Sequence, residues 1–334
     1  MAVLLAGCGG SDKPAAVKTE PLPQEPVQMV EGKNFDVLAT SPMTVGGQTV
    51  GLVGLADDYT AYGTVGNPVG GGPSKPVIVD LRAKTATPLM PDDKNARADH
   101  MAASKDWIVW IDGGPVDRVK AWSMYSYERS SGTVRLIGSL NPKGTEGVML
   151  GELNPSINAG VVFVSAVSGA ASDGGPISGT YSVPADGSSP MKRILQNSSF
   201  SAAGDGVLVY TRGDRLFRRD LKTGNESAPP YCDDWVVGDG VLACTRGADH
   251  TVRVITADGK RSSIDITDGS SSLIAASSGW LAIDNPDSPV YDLRSKRFLI
   301  TPAGWILAPL GGYGHYLEVM REDVQARTEF IRLR

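Results

Sequence analysis

The sequence predicts an all-β protein, a seven-bladed β-propeller, and three observations carry that prediction. The stretch GDGVLVYTRG at 204–213 returns as GDGVLACTRG at 238–247, and a fixed period of this size marks stacked supersecondary units. Seven segments share a turn followed by a nearly continuous apolar run, the pattern of a strand buried on both faces. Composition agrees: 40 Gly and 22 Pro among 334 residues, with 41% hydrophobic content, describe frequent turns around a large core.

In chain order, the first element is MAVLLAGC at 1–8. Its tetrad Leu5-Ala6-Gly7-Cys8 resembles the lipobox of bacterial lipoproteins, in which the chain is cut before a cysteine whose thiol carries a diacylglycerol. That resemblance implies lipidation of Cys8. No Lys or Arg precedes Cys8 and the apolar run is short for a secretion signal, so residues 1–8 read as a truncated signal whose natural start lies upstream. Residues 9–33 are rich in Pro, Gly and charge without periodicity and read as a disordered tether. The propeller domain is expected over 34–334.

Within it, the repeated segments are DDYTAYG (57–63), KDWIVWI (105–111), AGVVFVS (159–165), DGVLVYT (205–211), DGVLACT (239–245), SGWLAID (278–284) and GHYLEVM (314–320). Each reads as the second strand of a blade. Short strands such as SFSAAG precede the turns, making a first hairpin. A second hairpin follows in six units, for example PVIVDLRAKTATPL (76–89) and PVYDLRSKRFLIT (289–301). Four antiparallel strands repeated seven times make a propeller, whose blades cover one another's faces. The seventh unit supplies only a third strand, TEFIRLR (328–334), so NFDVLATSP (34–42) is expected to enter the last blade as its outer strand and close the ring. In this pattern 34–334 resembles the TolB-type and WD-repeat-like propellers of bacterial lipoproteins, especially those of actinobacteria. The likeness is architectural: Asp-Gly turns recur in some blades and no Trp-Asp signature is present.

Net charge is −5, which offers no overall basic field for nucleic acid. No apolar run reaches the roughly 18 residues of a spanning helix, so membrane attachment is expected through the lipid anchor alone. Three cysteines occur. With Cys8 lipidated, Cys232 and Cys244 remain in what would be an oxidising compartment. They flank a predicted turn at 238–240 and form a cross-strand disulfide if the register sets them opposite; two separate buried thiols are the alternative.

The loops between second and third strands share one face with the blade-to-blade links. Blades 1 to 3 carry long Gly-rich ones at 64–75, 112–121 and 168–179, which makes that face the expected binding surface. At the strand ends beneath it stand Asp112, Arg212, Arg246 and Arg321. The three arginines offer planar forks for a carboxylate or phosphate, with solvated loop residues as the plainer reading. His100 and His250 belong to this face and His315 to the opposite one, which disfavours a three-histidine metal site. Pairs such as Asp57-Asp58 read as turn residues. No nucleophile elbow, metalloprotease helix, Walker loop or EF-hand loop is present. No catalytic residue, metal or cofactor is expected. The leading expectation is a monomeric, membrane-anchored extracytoplasmic lipoprotein whose propeller binds or scaffolds a protein or cell-envelope glycan. The competing class is a propeller lyase or hydrolase acting on an extracellular sugar or acid, and fold alone does not choose between them.

Overall fold

The computed structural model describes residues 24–66, 74–90, 96–112, 122–140, 154–170, 176–229, 232, 234–245, 251–266, 272–277, 279–284, 290–302, 305–307, 316–321 and 327–334. The predicted signal and Cys8 lie outside the described residues. Among those described, all regular structure is β.

The chain enters through β1 (Gln24–Gln28) and β2 (Phe35–Ser41). Blade 1 is β3 (Met43–Val45), β4 (Gln48–Asp57), β5 (Thr60–Val65), β6 (Lys75–Asp80) and β7 (Thr85–Pro88). Blade 2 is β8 (His100–Ala103), β9 (Trp107–Asp112), β10 (Trp122–Glu128) and β11 (Thr133–Leu140). Blade 3 is β12 (Ser156–Asn158), β13 (Val161–Ala170), β14 (Pro176–Pro184) and β15 (Lys192–Gln196). Blade 4 is β16 (Ser199–Gly204), β17 (Val207–Arg212), β18 (Arg215–Asp220) and β19 (Glu226–Ser227). Blade 5 is β20 (Asp234–Gly238), β21 (Val241–Thr245), β22 (Thr251–Ile255) and β23 (Arg261–Asp265). Blade 6 is β24 (Ser272–Ala276), β25 (Trp280–Asp284), β26 (Val290–Asp292) and β27 (Arg297–Ile300). Blade 7 is β28 (Trp305–Leu307), β29 (Tyr316–Arg321) and β30 (Arg327–Leu333), completed by β2.

The closure follows the expected register. Phe35 stands opposite Leu333 and Ser41 opposite Thr328, antiparallel throughout. The repeated segments fall on the second strands of blades 2 to 7 and on β5, the third strand of five-stranded blade 1, and the near-continuous apolar runs have a direct cause. Along β21, Val241 and Ala243 join the core shared with blade 6 while Leu242 joins the core shared with blade 4. Successive side chains point to opposite faces, and here each face meets another blade. One apolar cluster fills every seam of the ring; the closing seams hold Phe35 with Trp280 and Ile331, and Phe330 with Val50 and Val77.

The repeated phrase itself is a turn nested against its neighbour. Asp205-Gly206 and Asp239-Gly240 have φ of 46°, 79°, 48° and 73°, positive at both central positions as the tight hairpin turn requires. A Cβ on Gly204 would lie 2.9 Å from the amide nitrogen of Gly240, so the first glycine of one phrase leaves room for the turn of the next.

Two features differ from expectation. Blades 1 and 6 carry a fifth strand. The tether expected to be disordered over 9–33 is ordered at its end: β1 adds in parallel to the outer edge of blade 6, with Gln24 opposite Arg297 and Gln28 opposite Ile300. Its cause is Met29, 5% exposed, which packs with Phe35, Trp280 and Leu333 between blades 6 and 7. A single anchoring apolar side chain in a polar stretch leaves little periodic signal to read.

Candidate functional site

The expected binding face holds the loops at 64–75, 112–121 and 168–179; residues 67–73, 113–121 and 171–175 of these lie outside the described residues. The third is shorter than expected. The β13–β14 ladder continues to Ala170 opposite Pro176, so most of 168–179 is hairpin.

Arg212 ends β17 and is engaged within its own blade. Its guanidinium donates to the Tyr210 hydroxyl at 3.2 Å and to Glu226 Oε1 at 3.5 Å, and lies 4.9 Å over the Phe217 ring. Tyr210 also donates to Glu226. Burial, with the Glu226 carboxylate accepting its proton, pushes the Tyr210 hydroxyl up to about 12. Glu226 belongs to β19, so this cluster draws Arg212 toward the outer edge of blade 4. Asp112 ends β9 opposite Ser123, and Arg321 ends β29 between Trp305 and Arg327. Arg246 lies outside the described residues, as do His250 and His315; His100 begins β8. Among the described residues, no group of three or more His, Cys, Asp or Glu is placed to hold a metal ion.

The inner strands carry a feature that sequence reasoning missed. Three of them bulge at a comparable level: β16 between Ser199 and Ala202, β4 between Leu52 and Gly54, and β24 between Leu273 and Ala275. At the first two bulges stand Phe200, 56% exposed, and Val53, 41% exposed. Adjacent blades cover both faces of these sheets, and β16 is the inner edge strand of its own, so the exposed Phe200 opens toward the axis of the ring; β4 lies one strand in, beside β3. Phe200 has φ of 46°, a conformation uncommon for a bulky residue and found where surrounding structure over-determines it. The hydroxyls flanking it do so. Ser201 accepts from Ser165 at 2.8 Å, and Ser198 shares a 2.9 Å hydrogen bond with Thr180. A phenylalanine among small residues in SFSAAG was the available signal, but an apolar strand residue reads first as core. This arrangement can supply apolar contact near the axis.

Cys232 and Cys244 form a disulfide with Cα atoms 5.6 Å apart. Residue 244 faces Trp235 across the hairpin, so the bridge joins the segment before β20 to β21 rather than two directly opposed strand residues.

No protein-family model matches the sequence, and no curated protein does. Solved structures do. The β-propeller domain of the Trilobed protease from Pyrococcus furiosus, described as having an open Velcro topology, superposes with a TM-score of 0.59 at 9% identity, covering 85% of this chain and 95% of that one. An oligogalacturonate lyase in complex with manganese superposes at 0.56 and 10% identity over 92% of this chain and 99% of its own. TolB from Acinetobacter baumannii aligns at 0.42 and 13% identity over 83% and 64%, too distant to carry an argument. At these identities the likeness is one of fold, and the fold is that of a seven-bladed β-propeller.

Proposed function

We propose that this protein is a lipid-anchored, extracytoplasmic propeller that binds a protein or cell-envelope glycan at the end of the ring where the long loops gather. One observation carries the reading: the disulfide between Cys232 and Cys244 uses both cysteines other than Cys8, and Cys8 stands in a lipobox-like tetrad. Disulfides persist in oxidising compartments, the same setting in which a lipidated N-terminal cysteine is used. The second part of the reading is supported by Phe200 and Val53, which expose apolar surface on inner strands where an ordinary core position would be covered.

Expression behind a complete lipoprotein signal in a bacterium that processes lipoproteins, followed by fractionation, tests the anchor. The parent protein is expected in the membrane pellet, resistant to salt and released by detergent, and Cys8→Ala in the extracytoplasmic soluble fraction. Identical partitioning of the two would overturn the anchor. For the binding end, cross-linked capture from envelope extract compares the parent with Phe200→Ser; an unchanged set of partners removes the inner-strand bulge from the reading.

A further inference from the structure

The chain enters the ring through two strands of very different grip. β2 runs antiparallel to β30 from Phe35 to Ser41 and buries Phe35, Ala39 and Ser41. β1 adds in parallel to β27 at Gln24, Val27 and Gln28, and its register shifts around Pro26, a residue with no amide hydrogen to offer a ladder. Across residues 26–34 Met29 is the one buried side chain; Pro26, Gln28 and residues 30–33 are exposed, and Val27 is half-buried. Apolar side chains toward the domain thus alternate with solvent-facing ones, the pattern of an extended peptide laid on a sheet edge.

Other parts of the fold build the edge that receives it. Met29 enters the apolar cluster in which Trp280, Val290 and Leu299 of blade 6 meet Ile331 and Leu333 of blade 7, and its amide donates to the carbonyl of Ile300 at 2.9 Å. Past Met29 the chain turns back: the Asn34 amide donates to the Val30 carbonyl at 2.9 Å, and Asn34 Oδ1 accepts the Val30 amide at 3.1 Å. Arg334 fastens this turn from the side of blade 7, donating to the Gly32 carbonyl at 2.8 Å and to the Asp36 carboxylate at 2.9 Å. Residues 24–34 therefore lie across the seam between blades 6 and 7, while the β2–β30 ladder that closes the ring is formed by residues beyond them.

We propose that the outer edge of blade 6 is a slot for an extended peptide with an unbranched apolar side chain two residues after a β-branched one, filled in cis by residues 24–34, and that this strap leaves and re-enters the slot while the ring stays closed. The occupant is the chain's own segment. Main-chain pairing along β27 supplies affinity, and the pocket of Met29 supplies specificity. A segment with a single buried side chain opens at a lower free energy than the strands it covers, and its covalent link returns it at an effective concentration in the millimolar range. Release uncovers the apolar seam and the backbone edge of β27; return covers both. The slot belongs to the folded domain and does not depend on the lipid anchor.

Hydrogen exchange and peptide binding on the full-length chain test it. In Met29→Ser the amides at positions 29 and 34 are expected to exchange on the order of 30-fold faster than in the parent, while those of Val162 and Val183 in blade 3 keep their protection. Met29→Leu, of similar volume, should stay well below that increase. A fluorescein-labelled peptide of residues 22–34 is expected to bind Met29→Ser, whose own strap has let go, and to bind the parent at least about tenfold more weakly, because there the tethered strap competes. The same peptide with Met29→Ser should bind neither chain. Val183→Ala, which opens a cavity in blade 3 and leaves the slot filled, should take up the peptide no better than the parent. Strap amides that exchange only together with the rest of the molecule, a Met29→Ser chain that no longer folds, peptide uptake by Val183→Ala, or parent and Met29→Ser binding the peptide equally or not at all overturns the proposal.

Discussion

The seam between blades 3 and 4 and the two seams that flank blade 1 are joined by different polar chemistry, and the difference tracks depth. Between blades 3 and 4, four hydroxyls meet: Ser165 and Ser201 are 7% exposed, Thr180 and Ser198 fully buried. Around blade 1 the joints are ionic. Asp57 receives Arg129 from blade 2, and Asp58 receives Arg332 from blade 7, so two carboxylates adjacent in sequence splay to opposite neighbours. These side chains keep between 17% and 40% of their exposure. An ion at the depth of Ser198 would lose several kcal/mol of hydration, whereas a pair of hydroxyls satisfies itself there. At the rim the ions remain hydrated, and their pairing contributes correspondingly little. Depth selects the chemistry, and it also ranks how much each seam depends on its polar contacts.

The largest effect is therefore expected at the buried seam. Ser198→Ala leaves the Thr180 hydroxyl with only Ser165, at 3.4 Å, and should destabilise the protein by about 1–3 kcal/mol in urea unfolding. Thr180→Val alone should cost a similar amount. The double variant should cost clearly less than the sum of the two, because removing both partners strands no buried hydroxyl. Strict additivity would mean that the hydroxyls do not act as a pair.

Arg332→Gln should cost less than Ser198→Ala, although the arginine touches two carboxylates, Asp36 and Asp58. The two variants separate further in salt. Raising NaCl from about 0.05 M to about 1 M shortens the screening length to roughly 3 Å, so the parent and Arg332→Gln should converge in stability, while the deficit of Ser198→Ala stays constant. A deficit of Arg332→Gln that ignores salt would show that the residue acts through packing.

How much of this was legible in the sequence divides along the same line. The apolar repeat revealed the strands, their two-sided burial and the closure by 34–42, because period and run length report what faces a neighbour. It revealed nothing of which blade a polar side chain would reach. Asp57-Asp58 read as turn residues, and Asp57 does cap its turn by accepting the amide of Tyr59 at 2.8 Å. The two inter-blade partners lie 72 and 274 positions away, beyond any local pattern. The place of Arg212 in the repeat offers it either to a ligand or to solvent, and only the fold reveals its pairing with Glu226 on the outermost strand. Phe200 was hidden for a related reason: a bulge shifts one residue out of the alternation on which burial had been inferred. Ser165 and Ser201 fall on expected strands, but nothing in the sequence marks their pairing, since a hydroxyl signals its depth only once the opposing hydroxyl is known.

The smallest effect expected is one of acidity at the closing strand. Hydrogen bonds from Arg334 and then Arg332 hold the Asp36 carboxyl at about 2, below its ordinary 3.8. A carboxylate depressed in the folded state contributes stability that is complete above the unfolded value and is lost as pH falls toward the folded one, so this contribution should fade between about pH 4 and pH 2. Other carboxylates titrate there as well: Arg129 and the amide of Tyr59 lower Asp57 against the desolvation that raises it, and Lys260 lowers Asp258. The informative quantity is consequently a difference between variants. Replacing both Arg332 and Arg334 by Gln should flatten the loss of urea midpoint between pH 4.5 and pH 2.5 relative to the parent, whereas Ser198→Ala, which removes a hydroxyl and no charged partner of a carboxylate, should follow the parent's slope from a lower starting point. If the double arginine variant lost stability with acid as steeply as the parent, the ion pairs at the closure would be bystanders, and the ring would be fastened by the β2–β30 ladder and its apolar cluster alone.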